Sequence, residues 1–567
     1  MNMSSAQGSS MGSPLEIHPT QDVQGKITCS IASGPVVLGS MCTQFVLVRT
    51  LDAVSDPRVL TPTKLTGDES NGYTIHFGDR SGNWHARLEI IRKAHDHEFT
   101  LLVSGPEPIW IQEWYISDLE VDDWIVPALG GRILSSNMPV GQQESYKHPF
   151  WWNAQFVIGQ KRDSGLVLRS DDESTNLKVL RIKRTLNGFE LGYGFEASNP
   201  TTNEPLSCSW SLSEFQGDWR VPVQQHKTWL NSVRPHCVTQ GQGKPVSWIK
   251  DIDFILEIWG ANRNADTPFH TFKEMEERIS DFAKLHSPST TLLYLPGYAN
   301  NGIDSLAPDY SPSTQCGGEA GFAHLVKLAH ELGYKVMIHT NVLALTFQHP
   351  EFQNLRDVQV VDCFGRKQTW GMDIDGDWLP EPFFAYANPG YAKWGDLMER
   401  VLRSLIKKYA LDAVFLDQTL LAFNTPGQPD FLKGMATHVQ RLRESFPGVL
   451  FGGEGIHDHI AQELILAQIH GIDGIPGIHG SDSAEEWCKA HPVLVETFRP
   501  ESMIVPHLLT RHPSHPDFMR QDEIYDFLNI MPMLALYDRS QAIYEPGVKR
   551  LLDRSKLFEG GDLDENS

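Results

Sequence analysis

Two neighbouring stretches decide the fold: KKYALDAVFLDQT (407–419) and FPGVLFGGEGIHD (446–458). In each, a short apolar run of the kind that forms a strand buried on both faces ends on a carboxylate, Asp417 in the first and Glu454 in the second. Between them FLKGMATHVQRLRESF (431–446) places Phe431, Leu432, Met435, Val439 and Leu442 on one face, which is helical spacing. The two acids are 37 residues apart, about one strand-helix repeat, so the reading is two adjacent parallel strands joined by a crossover helix.

The same alternation extends on both sides. GFAHLVKLAHELG (321–333) aligns Phe322, Leu325, Val326, Ala329 and Leu332, and LMERVLRSLIKKY (397–409) aligns Leu397, Val401, Leu402, Leu405, Ile406 and Tyr409. Asn388 followed by Pro389 reads as the N-cap and first position of a helix. Strand-like runs fall at 253–260, 291–297, 335–341, 413–418, 449–455, 474–479, 502–508 and 533–538, which predicts an α/β (β/α)₈ TIM barrel over 246–545. The excess length sits after the third strand, where 356–387 reads as a hairpin-bearing insertion.

Before residue 246 the period changes. KITCSIAS (26–33), QFVLVRTL (44–51), YTIHFGD (73–79), EFTLLVSG (98–105) and LKVLRIKR (177–184) alternate with a period of two between turn residues, which predicts an antiparallel β-sandwich over 25–245 with no helix in it. Residues 1–24 are expected to be disordered, and 546–567 to form a C-terminal helix and tail.

Composition narrows the function. The net charge of −23 and the lack of any basic cluster exclude a nucleic-acid partner. No stretch approaches the roughly 20 apolar residues of a membrane span. Seven scattered cysteines without a CxxC pair read as free thiols, and the opening residues lack a basic and apolar leader, so a cytoplasmic location is expected. Oligomeric state is not legible.

In a barrel the strand C-termini form the active site, so Asp417 and Glu454 are the catalytic candidates. Adjacent strands lie ~4.8 Å apart, compatible with the ~5–5.5 Å carboxyl separation of a retaining glycosidase. Asp417 is expected to stay ionised as nucleophile and Glu454 to hold the proton for the leaving oxygen; the bland alternative for either is a helix cap or an arginine partner.

These two stretches resemble the retaining α-glycosidase barrels, in which an Asp nucleophile ends strand four and a Glu acid/base ends strand five, as in α-amylases and endo-α-N-acetylgalactosaminidases. VPALGGRIL (126–134) and HPFWWNAQFVIGQKRDSGLVLRSDD (148–172) resemble the β-supersandwich that precedes the barrel in the second group and in a related glycoside-hydrolase-like family of unknown function. The resemblance implies a supersandwich followed by a barrel that cleaves an α-glycosidic bond through a covalent glycosyl-Asp intermediate. The seventh strand departs from the amylases: SMIVPHLLTRH (502–512) offers His507 and no acid, which argues against starch.

Around the acids, His339, Asn341, Gln418, His457, Asp458, His507 and Arg511 are candidate substrate-binding donors and acceptors, and Trp259, Trp370, Trp378 and Tyr386 candidate stacking faces. No cofactor or metal is expected. DIDGD (373–377) lacks the position-12 Glu of a calcium loop, and strand one lacks the HxH pair that would turn HDH (457–459) into a metallohydrolase signature. A transglycosidase or a non-catalytic carbohydrate-binding protein on the same barrel are the alternatives, with a metal-dependent hydrolase behind them.

Overall fold

The computed structural model describes residues 15–33, 36–41, 43–93, 96–200, 205–235, 246–371, 382–470, 487–499, 502–506, 525, 527–537, 539 and 543–555. Its N-terminal half is antiparallel sheet in two layers. Thr43–Thr50, Ile109–Leu119, Gly188–Glu196 and Leu177–Thr185 lie side by side in one layer. Gly72–Gly78, His85–Lys93, Asp96–Ser104, Leu206–Gln216 and Ser164–Arg169 lie side by side in the other. The long strand Arg58–Asp68 pairs with Thr43–Thr50 and with Gly72–Gly78, so it links the layers into a continuous sheet.

Period-two patterning turns one row of each layer inward: Val46, Trp114, Ile116, Tyr193 and Phe195 meet Phe99, Leu101, Leu168, Trp210 and Leu212 in one buried core. Trp114 and Trp210 meet across it with ring centroids 5.5 Å apart. This is the expected supersandwich, with two differences. Leu15–Gln21, in the segment expected to be disordered, is a strand paired with Ile27–Ser33. Arg220–Val233, in the region expected to hold no helix, is helical; its Pro222 falls in the first turn, where proline is tolerated, and it buries Val223, His226 and Leu230.

The C-terminal half is a nearly closed parallel barrel. Its strands are Phe254–Ile258, Thr291–Leu295, Lys335–Asn341, Ala413–Asp417, Leu450–Glu454, Leu466–Ile469, Met503–Pro506 and Met533–Leu536, and the first pairs with both the second and the eighth. The sixth was expected at 474–479, which lies outside the described residues. It forms earlier, after only a short 3₁₀ turn (Ala461–Glu463) in place of a crossover helix. The helix expected from Asn388 starts at Ala392; Asn388 instead shapes the preceding turn, accepting from the Gly390 N–H and donating to the Pro429 carbonyl. The insertion begins earlier than expected, with Ala344–Thr346, and Phe384–Tyr386 pairs with it and with Thr369–Trp370.

Strand alternation explains where the polar side chains go. Ile255, Leu292, Tyr294, Met337, Ala413, Phe415, Leu450, Leu466, Val505 and Met533 form the apolar inner layer, closed from below by Ile249 and Ile252. Stepping two residues along these strands puts Glu257, His339, Asn341, Asp417, Glu454 and Gln468 on the same inward face, towards the strand C-termini. The outward row packs on the helices and on Phe156, Val167, Phe215 and Leu230 of the N-terminal half, so one core runs through both halves. Cys488–Ala490, from the barrel half, adds a strand to the N-terminal sheet beside Arg132–Ser135. No helix among the described residues is long and apolar enough to cross a membrane.

Candidate active site

Asp417 and Glu454 end adjacent, directly paired strands, close enough that Glu454 acts on the Asp417 carboxyl. Asp417 lies beside Asn341 in the strand register and accepts a hydrogen bond from Asn341 Nδ2 at 3.0 Å. The Asn341 amide is oriented by its own Oδ1, which accepts from the Leu343 and Ala344 N–H groups at 2.9 Å each. Glu454 Oε2 accepts from the Gln418 N–H at 2.8 Å, and His470 Nε2 lies 3.3 Å from Oε1. Gln418 holds its N–H there with φ of 65°, a left-handed conformation costly for a non-glycine residue and typical of functional sites.

Two residues not foreseen from the sequence complete the floor. Asp304, fully buried in the loop after strand two, accepts from Asn341 Nδ2 at 3.2 Å and lies 3.5 Å from His339 Nε2 and 3.8 Å from Arg263 Nη2. Arg263, in the loop after strand one, has its guanidinium 4.3 Å from the Trp370 ring and 4.7 Å from Phe383. His339 Nδ1 is bonded to the Tyr294 hydroxyl at 2.7 Å, and Tyr386 accepts from Gln418 Nε2 at 3.4 Å.

The electrostatics divide these acids. Burial opposes ionisation of Asp304, but His339, Arg263 and Asn341 outweigh it and hold its carboxyl below the usual carboxylate range. Asp417 is driven well up, first by burial and then by Glu454 and Asp304, with Arg263 opposing. This direction runs against the expectation that Asp417 stays ionised in the free site, while Glu454 accepts from the Gln418 N–H. Glu257, on the inward face of strand one, is also pushed well up by burial, with the Trp259 indole bonded to it at 2.6 Å.

Of the residues expected at the site, His339, Asn341, Tyr386 and Gln418 gather around the acid pair. Trp259 is tied down by Glu257 and packs against Tyr537, and Trp370 is packed against Phe383, Phe384 and Arg263, so its ring braces the arginine. His457 and Asp458 do not join the pair. They are buried where the barrel meets the N-terminal half: Asp458 bonds His226 at 2.9 Å and the Gln155 N–H at 2.9 Å. Gly455, with φ of 86°, turns the chain away from the site, and a Cβ there would meet Leu420 Cβ at 2.6 Å. His507, Arg511, Trp378 and the DIDGD stretch lie outside the described residues.

The arrangement is a carboxyl pair on adjacent strand ends, surrounded by polar groups that suit hydroxyls. Residues 205–429 match a family model described as a domain of unknown function (DUF6259), a span that takes in strands one to four and Asp417 and stops short of Glu454. No curated protein matches the chain by sequence. Among solved structures, the α-N-acetylgalactosaminidase NagBb of Bifidobacterium bifidum, in complex with GalNAc, superposes with a TM-score of 0.73 at 14% identity, covering 97% of this chain and 92% of that one. The α-galactosidase TtGalA of Thermus thermophilus, in complex with p-nitrophenyl α-D-galactopyranoside, superposes with a TM-score of 0.50 at 12% identity over 83% of this chain and 92% of that one. The fold is thus shared with α-glycosidases.

Proposed function

We propose that the chain is a retaining α-glycosidase, with Asp417 as nucleophile and Glu454 as acid/base, and that its substrates are α-linked galactose-type sugars. The observation that carries this reading is the placement of two interacting carboxyls at the ends of directly paired strands, which suits the roughly 5–5.5 Å of retaining enzymes better than the roughly 6.5–9.5 Å of inverting ones. The reaction needs one proton on the pair, and the upward drive on Asp417 supports its being kept there. As the anomeric carbon enters between the acids, the proton goes to Glu454 and on to the leaving oxygen, while an Asp417 oxygen forms the new bond to C1 and the C1–O bond breaks. Water then attacks C1, gives its proton to Glu454, and releases Asp417 as carboxylate.

The surrounding residues have defined tasks in this scheme. Asn341 fixes the Asp417 oxygen, and the Gln418 N–H fixes Glu454. Asp304 and His339 offer an acceptor and a donor to sugar hydroxyls. The galactose-type preference rests on the structural neighbours alone. Buried free thiols such as Cys29 and Cys208, both pushed up to about 12 by burial, suit a reducing, cytoplasmic location.

A metal-dependent reading has one observation in its favour: Asp304, His339 and Asp417 each offer a ligand atom, all within 4.8 Å of one another. Arg263 beside Asp304 already supplies positive charge there, which favours the metal-free reading. The test is hydrolysis of p-nitrophenyl α-galactoside and α-N-acetylgalactosaminide by wild type, Asp417→Asn and Glu454→Gln, with and without exhaustive chelation. The expected result is loss on the order of a thousandfold in the Asn variant, azide rescue of Asp417→Gly with inversion, and no effect of chelator. Full activity in Asp417→Asn, or loss on chelation, overturns the scheme.

A further inference from the structure

We infer that the N-terminal half completes the active site: Trp151 is the platform for the leaving-group side of the substrate, and His470 is the residue that positions Glu454 beside it. The inference rests on the acid/base reading of Glu454. In a retaining cycle the acid/base protonates the leaving oxygen, so side chains flanking it on the side away from the nucleophile border the departing group. Glu454 Oε2 is fixed by the Gln418 backbone, and its other oxygen, Oε1, faces His470, which directly follows the sixth strand. Among the described residues, the other half of the chain reaches the His470 ring. The Trp151 indole meets the His470 ring edge to face, with centroids 5.1 Å apart and planes at 75°.

Trp151 is built into this position. Its backbone has φ of 69°, a conformation that bulky residues rarely adopt and that marks an imposed geometry. The surroundings impose it. The Leu129 N–H donates to the Trp151 carbonyl at 3.1 Å, and Trp151 bridges to Lys147. The adjacent Trp152 is fully buried, its indole N–H bonded to the Phe156 carbonyl at 3.0 Å. Asn153 Nδ2 then bonds the Ile456 carbonyl at 2.6 Å, pinning this loop two residues past Glu454. Trp152 and Asn153 thus anchor the loop, while Trp151 stays half-buried with Phe150 packed at its side, ring centroids 4.6 Å apart.

A half-buried indole beside the leaving-group oxygen selects a group with a flat, C–H-rich or aromatic face, meaning an aryl group or a second pyranose ring rather than a short acyclic alcohol. The linkage between halves is then functional: the sandwich reads the leaving group while the barrel cleaves the bond.

The test uses the full-length chain and three α-glycosides of one sugar, with methyl, p-nitrophenyl and 2,4-dinitrophenyl leaving groups. Wild-type turnover of the dinitrophenyl glycoside, which needs no acid, establishes the glycosidase reading independently; its absence overturns that reading and this one together. In Trp151→Ala the p-nitrophenyl to methyl ratio of kcat/KM is expected to fall about tenfold, through KM, and Trp151→Phe to retain most of it. In His470→Ala, kcat is expected to fall tenfold or more for the methyl glycoside and far less for the dinitrophenyl one, because only the first needs Glu454's proton. An unchanged ratio in a folded Trp151→Ala overturns the platform, and an equal loss on both leaving groups in His470→Ala overturns the positioning role.

Discussion

Two buried clusters of titratable groups lie within a few residues of each other in the sequence and are built on opposite principles. At the barrel mouth burial, and then the neighbouring Glu454 and Asp304, drive Asp417 well up. At the junction between halves, four residues after Glu454, the fully buried Asp458 is held down at about 2: burial opposes it, but the His226 and His148 imidazoles and the Gln155 N–H overcome that. Lys178, fully buried nearby, pairs with Asp172 at 3.0 Å and lies over the Phe195 ring. Arg234 reaches the Asp458 and Glu173 carbonyls. The junction is compensated and the mouth is not. An uncompensated acid pair costs stability that a site doing proton chemistry has reason to bear, while a compensated network fixes two halves in register.

Breaking the compensated cluster has the largest expected consequence for folding. Asp458→Ala leaves His226 and the Gln155 N–H without their acceptor in a site closed to water, a change worth roughly 3–5 kcal/mol of destabilisation. The same operation at the mouth has the opposite sign. Asp417→Asn removes an acid whose ionised form the fold disfavours and keeps the shape, so a gain of about 0.5–2 kcal/mol accompanies the loss of activity. Urea denaturation of both variants at neutral pH reads the two signs. If Asp417→Asn is destabilised as much as Asp458→Ala, the contrast between the clusters fails.

How much of this was legible in the sequence follows from period and chain direction. Asn341, Asp417 and Glu454 were visible because each ends a short apolar run, and period two then fixes its inward direction. Arg263 and Asp304 lie in loops, where no periodicity says which side chain points inward. His470 was hidden by the fold's own irregularity: the sixth strand follows the fifth after a 3₁₀ turn, and a search for a full strand-helix repeat overshoots it. His457 and Asp458 were drawn into the site by nearness in sequence, and the left-handed turn at Gly455 sends them elsewhere. Trp151 lies some 300 residues before Glu454, and only the tertiary structure brings its ring to His470. The N-terminal helix escaped because RVPVQQHKTWLNSV carries a proline and few apolar residues, and it is stabilised by what it packs against.

The smallest expected effect separates the clusters by pH. His148 and His457 are driven down by burial, to about 3 and about 4, so both are neutral in the fold. Below the ordinary histidine range near 6.5 the unfolded chain takes up protons that the folded junction refuses, and stability falls as pH falls, by up to about 1.4 kcal/mol per pH unit for each such histidine. Asp417 works the other way: raised in the fold, it stays protonated where the unfolded chain has already ionised, so its contribution is lost as pH rises above the ordinary carboxylate range. His148 Nδ1 is bonded to the Trp152 carbonyl at 2.8 Å, a contact the amide of His148→Asn can reproduce without a titrating ring. Unfolding free energies measured from pH 5 to 8 are therefore expected to show a shallower acid-side slope in His148→Asn and a shallower alkaline-side slope in Asp417→Asn. Slopes that change on the same side in both variants would mean that the junction and the mouth titrate as one network, and that their separation in space does not separate their chemistry.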